Sequence, residues 1–121
     1  MARILIVDDS PTETHILKGI LEKNGFDTDT AENGLEGLAR AKEIRPDLIL
    51  MDVVMPGLNG FQATRKLTRD PETASIPVII VTTKDQATDK MWGMRQGASD
   101  YVTKPIAEQT LVEKVTTALA G

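Results

Sequence analysis

ILIVDDSP at residues 4–11 joins four apolar residues to two aspartates, a serine and a proline. An apolar run of this length without alternation is typical of a strand whose two faces are both covered. Ser10 suits the N-cap of a helix, and Pro11 suits its first position. The segment therefore predicts a buried strand that runs through an acidic turn directly into a helix.

The same order of strand and helix recurs along the chain. Short β-rich runs lie at residues 3–7, 26–30, 48–51, 78–82 and 100–102. Helical spacing follows each run and predicts helices over residues 11–24, 34–44, 61–69, 86–96 and 108–120. This alternation is typical of βα units built around a parallel sheet. The second strand contains the polar stretch DTDT, which predicts an edge position.

Apolar residues at helical spacing indicate which sides of the first two helices face the core. The residues expected inside are Ile16, Leu17, Ile20 and Leu21 in the first helix and Leu35, Leu38 and Ala41 in the second. His15 has no cysteine or second histidine near it in the sequence, so we expect it on the surface rather than in a site.

The fourth helix leaves two interpretations open. Met91, Trp92 and Met94 fit either packing in the core or a patch that binds a partner. Gly93 inside the same helix costs about 1 kcal/mol relative to alanine. We therefore expect this helix to be one of the less stable ones.

Length, charge and cysteine content limit the classes of function. The 121 residues predict one domain, spanning 1–121, and the net charge of −4 disfavours direct nucleic-acid binding, which needs a basic face. The absence of cysteine favours a cytoplasmic location. No apolar run approaches the roughly 20 residues that span a bilayer, and the N-terminus does not resemble a signal peptide. We expect a monomer without membrane insertion.

Charged and polar side chains follow four of the five predicted strands. They are Asp8 and Asp9 after the first strand, Asp52 after the third, Thr82 and Thr83 at the end of the fourth, and Lys104 after the fifth. Because ligands of open parallel sheets bind beyond the carboxyl ends of the strands, we expect these groups to converge on one site.

The chemistry of this set indicates phosphoryl transfer assisted by a metal ion. Three crowded carboxylates repel one another unless a cation intervenes, and Mg²⁺ prefers such oxygen ligands. Asp52 could then attack phosphorus, while Lys104 and Thr82 would contact the phosphoryl oxygens. We expect neutralisation of Asp8 and Asp9 to leave the metal-free protein equally or more stable, since repulsion is relieved.

Each of these residues also has a structural interpretation. Two aspartates after a strand ordinarily form a turn or a helix cap, and a threonine that ends a buried strand is ordinarily structural. A Lys-Pro pair ordinarily lies in a solvated loop with a trans peptide bond. The functional interpretation is favoured because separate structural explanations would have to coincide at four strand ends.

Four segments resemble the receiver domains of bacterial response regulators, the CheY-like family. They are ILIVDDSP, LILMDVVMPGLNG, IPVIIVTT and GASDYVTKP, in the order and spacing of that family. The resemblance covers essentially the whole chain. It implies an α/β fold of the flavodoxin-like type, a doubly wound five-stranded parallel sheet with strand order 2-1-3-4-5 and five helices. It also implies a switch that assists its own phosphorylation and dephosphorylation, rather than an enzyme with a separate substrate.

The same resemblance implies a role for each matched residue. Asp52 would be the phosphoacceptor, and Asp8 and Asp9 would form the acidic pair around Mg²⁺ with the backbone carbonyl of Val54 as a further metal ligand. Thr82 would supply the switch hydroxyl, and Tyr101 would be the switch aromatic residue. Lys104 would be the lysine that contacts the phosphoryl group, and it would precede a cis proline. Tyr101 would turn inward when Thr82 moves toward the phosphoryl group. Val54 and Lys84 occupy positions that vary within the family and leave the lifetime of the phosphorylated state open. Thr83 replaces the small residue that is common after the switch threonine, which would narrow access to the phosphoryl group.

Residues 55–86 and 95–105 most resemble single-domain regulators associated with type IV pilus twitching motility. This narrower resemblance implies a CheA-like histidine kinase as phosphodonor. Because no effector domain follows Gly121, we expect output by protein binding through the face formed by the fourth helix, the fifth strand and the fifth helix. A role as a phosphate sink for a sister regulator stays open.

Two other classes of protein fit the sequence less well. A Mg²⁺-dependent phosphatase that uses Asp52 as a transient nucleophile would be expected to carry a second carboxylate at position 54, where this chain has valine. A nucleotide- or flavin-binding module would be expected to carry a glycine-rich turn after the first strand, where this chain has Asp8 and Asp9.

Overall fold

The computed structural model describes residues 2–121 and folds them into a five-stranded parallel sheet flanked by five helices. The elements are β1 (Arg3–Val7), α1 (Pro11–Lys23), β2 (Asp27–Ala31), α2 (Gly34–Ile44), β3 (Leu48–Met51), α3 (Gly60–Arg69), β4 (Val78–Thr82), α4 (Ala87–Arg95), β5 (Asp100–Thr103) and α5 (Glu108–Ala120). The strand order is β2-β1-β3-β4-β5. The predicted doubly wound architecture is therefore confirmed, and the polar β2 lies at an edge.

The element boundaries differ from the predicted ones by one residue at several ends. β2 begins at Asp27 rather than Phe26 because the Phe26 amide donates to the carbonyl of Leu21 and closes the turn after α1. It continues to Ala31, which pairs with Val7 of β1. The hydrogen-bonded pairing of β1 and β2 therefore extends one residue beyond the polar DTDT pattern that marked the strand in the sequence.

The central strands alternate their side chains between the two faces of the sheet, as the period of two residues in a strand requires. Ile4 and Ile6 of β1 contact the cluster under α1 and α5, whereas Leu5 and Val7 contact the cluster under α2 and α3. Both faces of the sheet are thus covered, which explains why these strands are apolar at every position.

The inward face of α1 is narrower than predicted. Leu17 and Leu21 are buried and Ile20 is half-buried, but Ile16 is exposed. Leu17 and Leu21 are four residues apart and define the contact line with the sheet, while Ile16 points about 100° away from Leu17. The predicted cap is confirmed, since the Ser10 hydroxyl accepts from the Glu13 amide at 3.3 Å.

The inward face of α2 was wrongly predicted at Leu35, whose side chain is 68% exposed. Ala41 is buried as predicted and Leu38 is half-buried, while Gly34 and Gly37 complete the buried face. A Cβ atom at Gly37 would lie 3.0 Å from the methyl groups of Val7, so α2 packs close to β1 through its smallest residues. The two glycines contribute no apolar side chains that could mark this part of the face in the sequence.

The fourth helix covers the sheet almost without side chains. Gly93 is its buried residue, and a Cβ atom there would lie 2.8 Å from Ile80 and 3.1 Å from the ring of Tyr101. Met91, Trp92 and Met94 are each about half exposed, which leaves a surface patch and excludes core packing. Gly93 is therefore explained by the close approach of α4 to the sheet.

Among residues 2–121, no helix combines the length and the apolar character that crossing a membrane requires.

Candidate functional site

The carboxyl ends of β1 and β3 bring three aspartates together. Val7 and Met51 are paired in the parallel ladder, and the Asp52 amide donates to the carbonyl of Val7 at 2.9 Å. The next residues, Asp8 and Asp52, consequently leave the sheet side by side. Asp8, Asp9 and Asp52 each offer a carboxylate oxygen, and these oxygens all lie within 4.8 Å of one another. The predicted convergence of the three carboxylates is confirmed.

The start of α3 closes the site on one side. Gly60 begins this helix, and its amide donates to the carbonyl of Val53 at 3.0 Å. A side chain at Gly60 would collide with the backbone carbonyl of Asp52. Glycine is therefore required here by the close approach of α3 to the residue that carries the central carboxylate.

Lys104 places an ammonium group among these carboxylates. Its Nζ atom donates to Asp8 Oδ2 at 2.9 Å and lies 3.8 Å from Asp52 Oδ1. The Lys104 side chain is only 8% exposed, and its backbone amide donates to the carbonyl of Thr82 at 2.8 Å. The turn after β5 is thereby tied to the end of β4, and the Lys104-Pro105 peptide bond in this turn is cis.

Within the cluster, the Asp52 carboxyl group has a raised pKa. Burial, followed by the neighbouring Asp8 carboxylate, raises the pKa of Asp52 to about 6, against the opposing influence of Lys104 and of the Val53 amide. That amide donates to Asp52 Oδ1 at 2.9 Å. A single ammonium group does not compensate fully for three converging carboxylates, and the site as a whole favours an additional cation.

The donor set fits Mg²⁺. Its members are carboxylate oxygens, the ligands that a hard divalent cation prefers, with no cysteine or histidine in the cluster to favour a softer metal. Asp8, Asp9 and Asp52 would hold the ion. Val54 follows in the loop after β3 with its side chain exposed to solvent, and the role of its carbonyl stays a prediction.

Thr82 of β4 and Tyr101 of β5 are linked through the backbone of Lys84. Thr82 is fully buried, and its hydroxyl oxygen accepts from the Lys84 amide at 3.4 Å. The Tyr101 ring is 8% exposed, and its hydroxyl donates to the Lys84 carbonyl at 2.8 Å. Burial raises the pKa of Tyr101 to about 12, and the carboxylates of Asp89 and Asp85 add to this effect.

The Tyr101 side chain is oriented inward in this structure. The ring lies under α4, because Gly93 leaves room for it there and the Lys84 carbonyl accepts a hydrogen bond from its hydroxyl group. The change in its position on phosphorylation stays a prediction.

One charged group at the site was missed in the sequence. Glu13 Oε2 of α1 lies 3.8 Å from Lys104 Nζ. Ser10 and Glu13 have the S-x-x-E spacing of a capping box, which would have placed this carboxylate near the first turn. The predicted surface position of His15 is confirmed.

Comparison with known proteins identifies the family. The model of the response regulator receiver domain matches residues 4–116. The chain belongs to this family. The receiver-domain resemblance read from the sequence is thereby confirmed, and Asp8, Asp9, Asp52, Thr82 and Lys104 lie within the matched region.

Individual receiver-domain proteins show the same relationship. The chain is 64% identical to Protein PilH of Pseudomonas aeruginosa over 121 residues, which is 100% of both chains. It superposes with a TM-score of 0.92 on the receiver domain of a signal transduction histidine kinase from Syntrophus aciditrophicus, at 39% identity, covering 100% of this chain and 92% of the other. For Vibrio cholerae chemotaxis protein CheY4 the TM-score is 0.91 at 30% identity, and 98% of each chain is covered.

Proposed function

We propose that this receiver domain accepts a phosphoryl group from a histidine kinase on Asp52 in a Mg²⁺-dependent reaction and then signals through altered binding of a protein partner. The observation that supports this most strongly is the buried Asp52 carboxylate, clustered with Asp8 and Asp9 and 3.8 Å from the Lys104 ammonium. Such a site supplies a nucleophile together with positive charge for the transferred group.

The proposed transfer uses residues already in place. An oxygen of Asp52 attacks phosphorus, the bond from phosphorus to the donor's histidine nitrogen breaks, and that nitrogen keeps the electron pair. Asp52 must be ionised to attack, which a pKa of about 6 allows at neutral pH. Lys104 and Thr82 then donate hydrogen bonds to the phosphoryl oxygens. Mg²⁺ held by the three aspartates would neutralise charge on the carboxylates and the phosphoryl group.

The proposed pathway is a chemosensory-type system that controls type IV pilus twitching motility, with a CheA-like kinase as donor. Support for this part comes from the full-length similarity to Protein PilH. We place the reaction in the cytoplasm, since a chain without cysteine has no disulfide bonds and suits a reducing compartment.

The partner is proposed to read the face formed by α4, β5 and α5. Met91, Trp92 and Met94 lie exposed on α4, and large apolar side chains in this number on one short helix favour protein binding. Tyr101 of β5 lies under the same helix and connects it to Lys84, two residues after Thr82. A displacement of Thr82 would thus be transmitted to the surface that the partner contacts.

Incubation with acetyl phosphate and Mg²⁺, followed by intact-mass spectrometry, tests the proposal. Wild-type protein should gain one phosphoryl group that hydroxylamine removes, as an acyl phosphate requires. Asp52→Asn should keep the fold and gain none, because the amide is a poor nucleophile. Undiminished labelling of Asp52→Asn, or equal labelling of the wild type when EDTA replaces Mg²⁺, would overturn the proposal.

A further inference from the structure

The Glu13 carboxylate points into the site instead of back to its own helix. In a complete capping box, a glutamate at this helix position would accept from the backbone amide of the N-cap, Ser10. Here the Ser10 amide donates to Asp8 Oδ1 at 2.9 Å. The Glu13 amide still donates to the Ser10 hydroxyl, so only the returning half of the box is missing.

The third helix shows the alternative arrangement in the same molecule. The Gln62 amide donates to Asn59 Oδ1 at 2.9 Å, and the Asn59 amide donates to Gln62 Oε1 at 3.0 Å. Both halves of the box form there because no neighbouring side chain competes for the N-cap amide. At α1, Asp8 takes that amide and releases Glu13 for another contact.

Lys104 consequently faces three carboxylates. Its Nζ atom lies 2.9 Å from Asp8, 3.8 Å from Glu13 and 3.8 Å from Asp52. Asp8 and Asp52 belong to the carboxylate cluster that fits a divalent cation, whereas Glu13 does not. When the cluster shares its charge with a cation, Glu13 keeps its full attraction for the ammonium group.

We propose that Glu13 is a positioning residue that holds the Lys104 ammonium group toward α1. In this position Glu13 competes with a phosphoryl group on Asp52 for the Lys104 ammonium group. This inference rests on the proposed role of Asp52 as acceptor. Lys104 must leave Glu13 to donate fully to a phosphoryl oxygen, so the ion pair opposes phosphorylation. The Glu13 side chain is 35% exposed, which places the pair among partly solvated ones.

The expected size of the effect follows from that exposure. Partly exposed ion pairs correspond to a change of about two- to fivefold in an equilibrium or a rate. Glu13→Gln should therefore be phosphorylated by acetyl phosphate about two- to fivefold faster than wild type. It should also bind beryllofluoride more tightly by a similar factor.

Glu13→Gln also removes repulsion between Glu13 and an incoming anion, which by itself would accelerate labelling. A double-mutant cycle separates this effect from an effect that acts through Lys104. If Glu13 acts through Lys104, Glu13→Gln should change the labelling rate in the wild-type background and leave it unchanged in a Lys104→Met background. An equal acceleration in both backgrounds would overturn the positioning role.

Glu36→Gln is a matched control. Glu36 occupies the third position of α2, its amide donates to the N-cap Asn33, and its side chain is exposed. Both substitutions therefore remove one first-turn carboxylate that favours the helix dipole. Only Glu13→Gln should accelerate labelling, and unfolding in urea should show similar small losses of stability for the two variants.

The deciding experiment combines the labelling rates with NMR of the Lys104 side chain in unphosphorylated protein. Glu13→Gln should shift the Lys104 Cε and Nζ resonances, whereas Glu36→Gln should leave them in place. Equal labelling rates for wild type and Glu13→Gln, or unchanged Lys104 resonances, would overturn the inference. If wild type were not labelled at Asp52 at all, the proposed function would fail, while the resonances would still report the contact with Glu13.

Discussion

Asp52 has to satisfy two opposing physical requirements. Burial shields the carboxylate from water and places it next to Asp8, and both effects favour its protonated form. Nucleophilic attack needs the ionised form. Lys104 and the Val53 amide support ionisation from one side, and a divalent cation among the aspartates would support it from the other.

This conflict predicts how Asp52 affects stability in the absence of divalent cations. The pKa of Asp52 is about 6 in the folded protein, against an ordinary value of 3.8. Between these values the folded state binds more protons than the unfolded state, so the contribution of Asp52 to stability falls as pH rises. Asp52→Asn removes this loss. Its gain in unfolding free energy over wild type should grow from about pH 4 to about pH 6 and then stay constant.

Urea denaturation of both proteins in EDTA across this range measures the difference. A gain that is the same at every pH would mean that Asp52 titrates as an ordinary aspartate. A difference that shrinks as pH rises would show a lowered pKa and would contradict the description of the site.

The two aspartates of the acidic pair should differ in their effect on stability. Repulsion alone predicts no loss when either is neutralised, but Asp8 is buried and pairs with Lys104 at 2.9 Å, whereas Asp9 is exposed. Asp8→Asn leaves a buried ammonium with weaker partners and should lower stability by about 1–3 kcal/mol. Asp9→Asn should be neutral or slightly stabilising. Equal losses for the two variants in metal-free urea denaturation would contradict the geometry of this pair.

At the scale of the elements, α4 is the helix least attached by side chains. It contacts the sheet through Gly93, and its large apolar side chains point outward. Tyr101 connects this helix to the loop after β4 through the Lys84 carbonyl. This hydrogen bond links the loop after β4 to the residue packed under the helix that carries the exposed patch of Met91, Trp92 and Met94.

Two glycine-to-alanine substitutions test the close packing of α4. A Cβ atom at Gly93 would lie 2.8 Å from Ile80, so Gly93→Ala should destabilise the fold by about 1–3 kcal/mol despite its better helix propensity. Gly19 of α1 has no heavy atom within 4 Å of the same construction. Gly19→Ala should stabilise by about 0.5–1 kcal/mol. Chemical denaturation compares the pair, and stabilisation by both substitutions would contradict the packing described for α4.

The switch itself is tested with beryllofluoride and Mg²⁺, which imitate the phosphoryl group. Trp92 is the single tryptophan of the chain and lies on α4, so tryptophan fluorescence should change when beryllofluoride and Mg²⁺ are added. Amide shifts in NMR should map to residues 82–84, 91–94 and 101–104, since Thr82 and Tyr101 both hydrogen-bond to the Lys84 backbone and Tyr101 packs under Gly93 of α4. Shifts confined to the loops of Asp8, Asp9 and Asp52 would mean that the site binds without altering α4.

The features that local patterns encode could be predicted from the sequence. Apolar runs that stop at charged residues mark both the end of a strand and the rim of a parallel sheet, so Asp52 and Lys104 could be placed together. Leu38 and Ala41 of α2 were predicted on its inward face, but Gly34 and Gly37 could not be, because glycine contributes no apolar side chain. The orientation of Tyr101 depends on a carbonyl 17 residues away, and that of Glu13 depends on which side chain takes the Ser10 amide.

For the molecule as a whole, topology brings the site together. The parallel sheet places four strand ends on one rim, although Asp8 and Lys104 are 96 residues apart in the chain. Apolar clusters pack against both faces of the central strands and keep these ends in register. A rigid sheet with its charged groups on loops at one edge suits a switch, because the loops can move while the core stays packed.

Chemical identification of the modified residue tests the central proposal most directly. After incubation with acetyl phosphate and Mg²⁺, borohydride reduction converts a phosphorylated aspartate to homoserine, which peptide mass spectrometry then locates. We expect homoserine at position 52 and unmodified aspartate at positions 8 and 9. Homoserine at another position, or none at position 52 in protein that carries the phosphoryl mass, would contradict Asp52 as the acceptor.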